Sequence, residues 1–195
     1  MTKKAIIKKI DRAIKEAWLK NISKDYKNLH LLKEDTLKNS LYYHVRRKLS
    51  TQFLEDSGIR MFTEFNDAGL RGMGVRADLA IVQLSKNTGA YLGDCIKSIA
   101  AIVELKYGCK YTTDSYFYAD IEKVKNYIKN LKDDTLYYLG FVIEKEYYCP
   151  NWLTKKQTNN WADKKLVVLS ANHDVGRSDM GFYMQSCNGL NRDLD

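Results

Sequence analysis

The chain has 195 residues, 45% of them apolar and 29% charged, with one proline and eleven glycines. That is globular composition, and it excludes a collagenous or Pro/Gly-rich disordered chain. No apolar run approaches the roughly 20 residues of a membrane span, and MTKKAIIKKIDRAIK lacks the apolar core of a signal peptide, so a cytoplasmic chain is expected. The formal charge is +8, and its placement is uneven: residues 1–60 hold 15 Lys/Arg against 7 Asp/Glu, while residues 61–195 hold 17 of each. Such a concentrated basic excess suits a polyanionic partner; lysines that merely solvate helix faces would give the same count.

In chain order, residues 4–20 read as an amphipathic helix. Ile6, Ile10, Ala13, Ile14, Ala17 and Trp18 recur on one side, and Lys4, Lys8, Arg12 and Lys15 lie on the other. Residues 21–33 form a junction of weak periodicity. A second helix is expected over about 35–55, because Leu37, Leu41, Val45, Leu49 and Phe53 make one stripe before Gly58. Strands are predicted at 59–65, 75–84 and 96–107, with a glycine-rich loop at 66–74. A helix follows at 116–131, then strands at 136–143 and 165–170, and GFYMQS is a candidate edge strand. The order implies an α/β fold, a mixed central β-sheet flanked by helices. One domain over 1–195 is expected, with residues 1–24 as a basic N-terminal helical extension.

Cys95, Cys109, Cys149 and Cys187 form no CxxC pair and His30, His44 and His173 no HxxxH pattern, so free thiols and no structural zinc are expected. No GxSxG, GxxxxGK[ST] or GxGxxG occurs, which moves esterases, P-loop enzymes and dinucleotide-binding dehydrogenases out of the front rank.

Two places carry charge inside apolar strands. Asp78 interrupts VRADLAIV, and Glu104 and Lys106 interrupt IAAIVELKY. Such charges cost free energy unless they are paired, exposed at a strand end or bound to a metal. Residues i and i+2 of a strand share a face, so Glu104 and Lys106 point the same way. If the two strands are neighbours, Asp78 can lie beside Glu104, and a hard divalent cation relieves the repulsion between the two carboxylates. An acid followed two residues later by lysine also occurs at Asp25/Lys27 and Asp163/Lys165, but only Glu104/Lys106 lies in an apolar strand. A structural ion pair at a strand end is the competing explanation.

GVRADLAIV, a loop, and then IVELKYG resemble the PD-(D/E)XK nuclease superfamily, whose fold is restriction-endonuclease-like. The resemblance covers roughly residues 34–145. It includes Glu34 near the start of a helix before the sheet, and Lys123 with Tyr127 on a helix after the ExK strand. Two positions depart from the pattern: Ala77 stands where a proline often precedes the aspartate, and Lys123 where glutamine is usual in some branches. The resemblance implies that Asp78, Glu104 and the Leu105 backbone carbonyl hold Mg²⁺ (Mn²⁺ substituting). It implies that Lys106 orients or helps deprotonate a water or neutralises the phosphate. It further implies that Glu34 completes the site and that Lys123 and Tyr127 contact substrate or brace it.

The function expected is metal-dependent hydrolysis of phosphodiester bonds, in DNA rather than RNA, with Lys4, Lys8, Arg12, Lys15, Arg46, Arg47 and Lys48 contacting phosphates. A homodimer is compatible with it. The first alternative is a catalytically silent nucleic-acid-binding or interaction module of the same fold. A partner-switched nuclease and a purely structural protein remain further rivals. Glu64 is either a metal contact or a solvated strand end; His173-Asp174 reads better as a turn than as an acid/base pair; the 14 tyrosines suit sheet packing more than base stacking.

Overall fold

A computed structural model of the chain describes residues 1–66, 70–85, 91–131, 134–145, 151–173 and 179–187. Six strands form one sheet in the order β1 (Ile59–Phe65), β2 (Ala77–Leu84), β3 (Ile96–Gly108), β4 (Leu136–Ile143), β5 (Leu166–His173) and β6 (Met180–Ser186). The first three make an antiparallel meander; β3, β4 and β5 run parallel; β6 returns antiparallel. The sheet is therefore mixed, as the sequence predicts, and GFYMQS lies in its edge strand β6.

Helices cover both faces. On one side lie α1 (Lys3–Glu16), which continues through a π-helical segment at Ala17–Ile22 into α2 (Ser23–Lys27), then α3 (Glu34–Leu49) and α4 (Thr51–Asp56). On the other lies α5 (Asp114–Asn130), and the short α6 (Lys155–Thr158) follows β4. The parallel β3–β4 pair needs a crossover, and α5 provides it.

Strand alternation sorts the side chains into two cores. Leu79, Ala101, Val103, Leu105 and Tyr138 meet Ile10, Ile14, Trp18, Leu37 and Leu41. Ala80, Ile102, Tyr137, Leu139 and Phe141 meet Phe117, Ile121 and Val124 of α5. Each large apolar side chain buried there stabilises the fold by about 1.5–3 kcal/mol. The basic N-terminal helix is thus a layer of the first core: Ile10, Ile14 and Trp18 have no exposed surface. Gly140 of β4 permits that approach, since a Cβ there would stand 2.5 Å from Leu105 Cδ2 and 3.2 Å from the Trp18 ring.

Three expectations change. The helix expected over 35–55 is broken at Ser50, whose φ of 64° ends α3 and whose side chain caps α4. The junction at 21–33 is helical as far as Lys27. Lys15, expected on the solvent face, is completely buried. The reason is that α1 is covered on more than its apolar stripe: Lys15 Nζ donates to Asp11 Oδ2 at 2.7 Å, and the Tyr138 hydroxyl of β4 donates to Asp11 Oδ1 at 2.6 Å. Cys95, Cys109 and Cys187 are free thiols, and Cys149 lies outside the described residues. Among the described residues no helix is long and apolar enough to cross a membrane.

Candidate active site

Asp78, Glu104 and Lys106 share the α5 side of the sheet. The even-numbered neighbours Ala80 and Ile102 line the core on that side, so alternation carries the three charged side chains there as well. The β2–β3 ladder runs as far as Leu79 opposite Val103. Beyond it the Asp78 side chain takes over the pairing, and Oδ2 accepts the Leu105 amide at 2.7 Å. The amide and carbonyl of one strand residue leave by the same edge, so the Leu105 carbonyl also opens toward Asp78.

Glu104 has no exposed surface. Its Oε2 accepts Lys123 Nζ at 2.7 Å and its Oε1 accepts the Tyr127 hydroxyl at 2.9 Å. Burial pushes the carboxyl pKa up from 4.5 to about 8; Lys123 opposes the rise and Asp78 adds to it. Tyr127 is buried against the same carboxylate, and both effects hold its phenol protonated. Both side chains thus hold the Glu104 carboxyl by hydrogen bonds.

Lys106 stands between two acids. Its Nζ lies 3.0 Å from Glu34 Oε2 and 3.4 Å from Asp120 Oδ2. Burial alone would lower the Lys106 pKa, but Asp120 and Glu34 outweigh it and the net shift is upward. The ammonium therefore keeps its charge at neutral pH, which favours neutralising a phosphate over accepting a proton. Glu34 is the first residue of α3, where its charge also suits the helix N-terminus.

Asp120 was not among the residues singled out from sequence. It is nearly buried, burial raises its pKa against the pull of Lys106 and Lys123, and Lys106 Nζ is the charged neighbour of its Oδ2. One signal was available: Asp120, Lys123 and Tyr127 stand at i, i+3 and i+7 and so share one face of α5. Lys38 was missed in the same way, one turn after Glu34. It bonds Glu64, which also pairs with Arg76. Glu64 has a φ of 54°, in the left-handed region, within β1. The remaining expected residues lie elsewhere. Arg46, Arg47 and Lys48 lie in the last turn of α3, about 18–21 Å from Glu34 at 1.5 Å per residue. His173 ends β5, and Asp174 lies outside the described residues.

The arrangement is a buried carboxylate, a second carboxylate on the neighbouring strand and a half-buried ammonium, all at one end of the sheet. Among the described residues, no group of three or more His, Cys, Asp or Glu side chains is arranged to hold a metal ion. No family model, no curated protein and no solved structure matches this chain. The site therefore has to be read from its own chemistry.

Proposed function

We propose that this chain is a metal-dependent nuclease that hydrolyses phosphodiester bonds, in DNA rather than RNA, with the site arrangement of the PD-(D/E)XK superfamily. The observation that carries the reading is Glu104. A carboxylate with no exposed surface, beside Asp78 and two residues before Lys106 on the same strand face, costs folding free energy that a plain sheet avoids. The meander followed by a helical crossover to a parallel strand supports the same superfamily.

Asp78, Glu104 and the Leu105 carbonyl would hold the metal. The donor set fits Mg²⁺, which takes one or two carboxylates and keeps several waters. Bound there, Mg²⁺ supplies an activated water and positive charge for the phosphate. Lys106 adds a fixed cation that stabilises charge developing on the phosphate oxygens. Glu34 and Asp120 aim that cation, and Tyr127 and Lys123 fix the Glu104 carboxylate.

A second reading is a silent nucleic-acid-binding module, and one observation favours it. Both Glu104 oxygens already accept hydrogen bonds, and Lys123 sits at 2.7 Å, where it competes with a cation. A cleavage assay decides between the two. Wild type and Glu104→Ala are incubated with supercoiled plasmid, single-stranded DNA and RNA, in Mg²⁺, Mn²⁺ or EDTA. The nuclease reading expects metal-dependent cutting, reduced by about 10³-fold or more in the variant. No cutting in any condition, with no rise in melting temperature on adding metal, favours the silent module.

A further inference from the structure

A separate concentration of positive charge lies on the other side of the sheet. Between α1 and the C-terminal end of α3 is an open cavity of about 410 Å³, walled by Lys8, Lys9, Arg12 and Lys48 over a floor of Ala5 and Ala13. Four cationic side chains thus line one cavity. Glu16, the single acid in the wall, stands 3.4 Å from Lys48. Among the described residues Lys8, Lys9 and Arg12 have no carboxylate partner, although Lys9 Nζ lies 4.1 Å from the centre of the Phe53 ring. The charge continues along α3, where Arg47 is held by the Tyr43 hydroxyl at 3.1 Å and Arg46 by that of Tyr42 at 3.3 Å.

Four cations against the single acid Glu16 leave a net positive groove, and a polyanion relieves the repulsion within it. The anion cannot be the phosphate beside Glu104. Glu104 and Lys106 face α5, whereas α1 packs on the opposite side, and Lys48 is about 21 Å along α3 from Glu34. Nor does the groove suit a lipid surface. A helix lying on lipid presents large apolar side chains beside its lysines, but those of α1, Ile6, Ile10 and Ile14, are buried in the core.

We infer that this groove is a second, non-catalytic binding site for the sugar–phosphate backbone of a nucleic acid, in which Lys8, Lys9, Arg12 and Lys48 anchor a stretch of the strand remote from the carboxylate cluster. The inference rests on the nucleic-acid partner proposed above, but not on cleavage.

Fluorescence anisotropy with a labelled 30-base-pair duplex in EDTA, titrated from 50 to 300 mM salt, tests it. Lys8, Lys9 and Arg12 are exposed, so alanine there leaves the core intact. The K8A/K9A/R12A variant is expected to bind at least about tenfold more weakly near 0.1 M salt. Its slope of log affinity against log salt should be shallower by about 2.7, at 0.9 per lost phosphate contact. K8R/K9R, which keeps the charge, should retain affinity and slope. An unchanged slope in the triple variant overturns the inference, as does an equal loss in K8R/K9R. So does a triple variant that loses binding to phosphatidylserine vesicles while its duplex curve is unchanged. A reduced slope in a protein that cuts nothing upholds the groove and sinks only the hydrolysis; cutting with an unchanged slope sinks only the groove.

Discussion

Two buried acid–lysine pairs lie on opposite faces of one sheet, and they differ in their access to water. Asp11 and Lys15, under α1, are 5% and 0% exposed at their side chains and are closed over by Tyr138. Glu104 is equally buried, but its partner Lys123 is 25% exposed and the neighbouring Lys106 18%. The sealed pair has no path to a substrate and serves the packing of α1 on β4. The open pair places a costly carboxylate behind two cations that reach solvent. The same residue types therefore take different roles according to what covers them, and that contrast can be broken experimentally.

The largest effect is expected from the sealed side. Lys15→Met removes the ammonium that donates to the buried Asp11 Oδ2, which should cost about 3–5 kcal/mol in denaturant unfolding. The double variant D11N/K15M should recover much of it, because both charges are gone. If Lys15→Met alone costs under about 1 kcal/mol, Asp11 reaches water and the pair is not sealed.

On the open side, Asp120→Asn should leave the fold intact and, for a chain that cuts as proposed, lower metal-dependent cleavage by about 10–100-fold, the usual effect of removing a group that orients a functional one. Because Asp120 helps hold Lys106 charged, the pH–rate profile should also lose activity at a lower pH than in wild type. A fall in rate without that displacement would mean that Asp120 does not act through Lys106.

A smaller effect is expected in the stability of the metal-free protein. The folded chain keeps a proton on Glu104 up to about pH 8, whereas the unfolded chain releases it near 4.5. The stabilisation is fully present below 4.5 and is lost as pH rises through 8, with a slope of at most about 1.4 kcal/mol per pH unit. Unfolding in EDTA from pH 5 to 8.5 should show this decline in wild type, and Glu104→Gln should flatten it. Parallel curves would place Glu104 in contact with water.

The smallest effect belongs to a pair that neither face encloses. Lys3 and Asp134 meet at 3.0 Å, but their side chains are 61% and 83% exposed. Removing Lys3 should change stability by under about 1 kcal/mol, which makes Lys3→Ala the control for the Lys15 series.

What the sequence determined by itself is what local patterning encodes. Strands β1 to β5 follow from apolar and β-branched runs between turn residues, and β4 falls on the predicted 136–143. The i, i+2 rule placed Glu104 and Lys106 on one face before any packing was known. The rest depended on which surfaces meet. The periodicity of α1 puts Lys15 beside Arg12 and gives no sign that Tyr138, 127 residues from Asp11 in sequence, seals that side. The spacing of Asp120, Lys123 and Tyr127 is visible on α5, but that this face looks onto β3 is a consequence of the crossover. The convergence of Glu34 and Asp120 on Lys106 joins three elements that only the folded sheet brings together. Periodicity records which side of an element is apolar; the partner that covers it, and so whether a buried charge is sealed or open, is set by packing between distant segments.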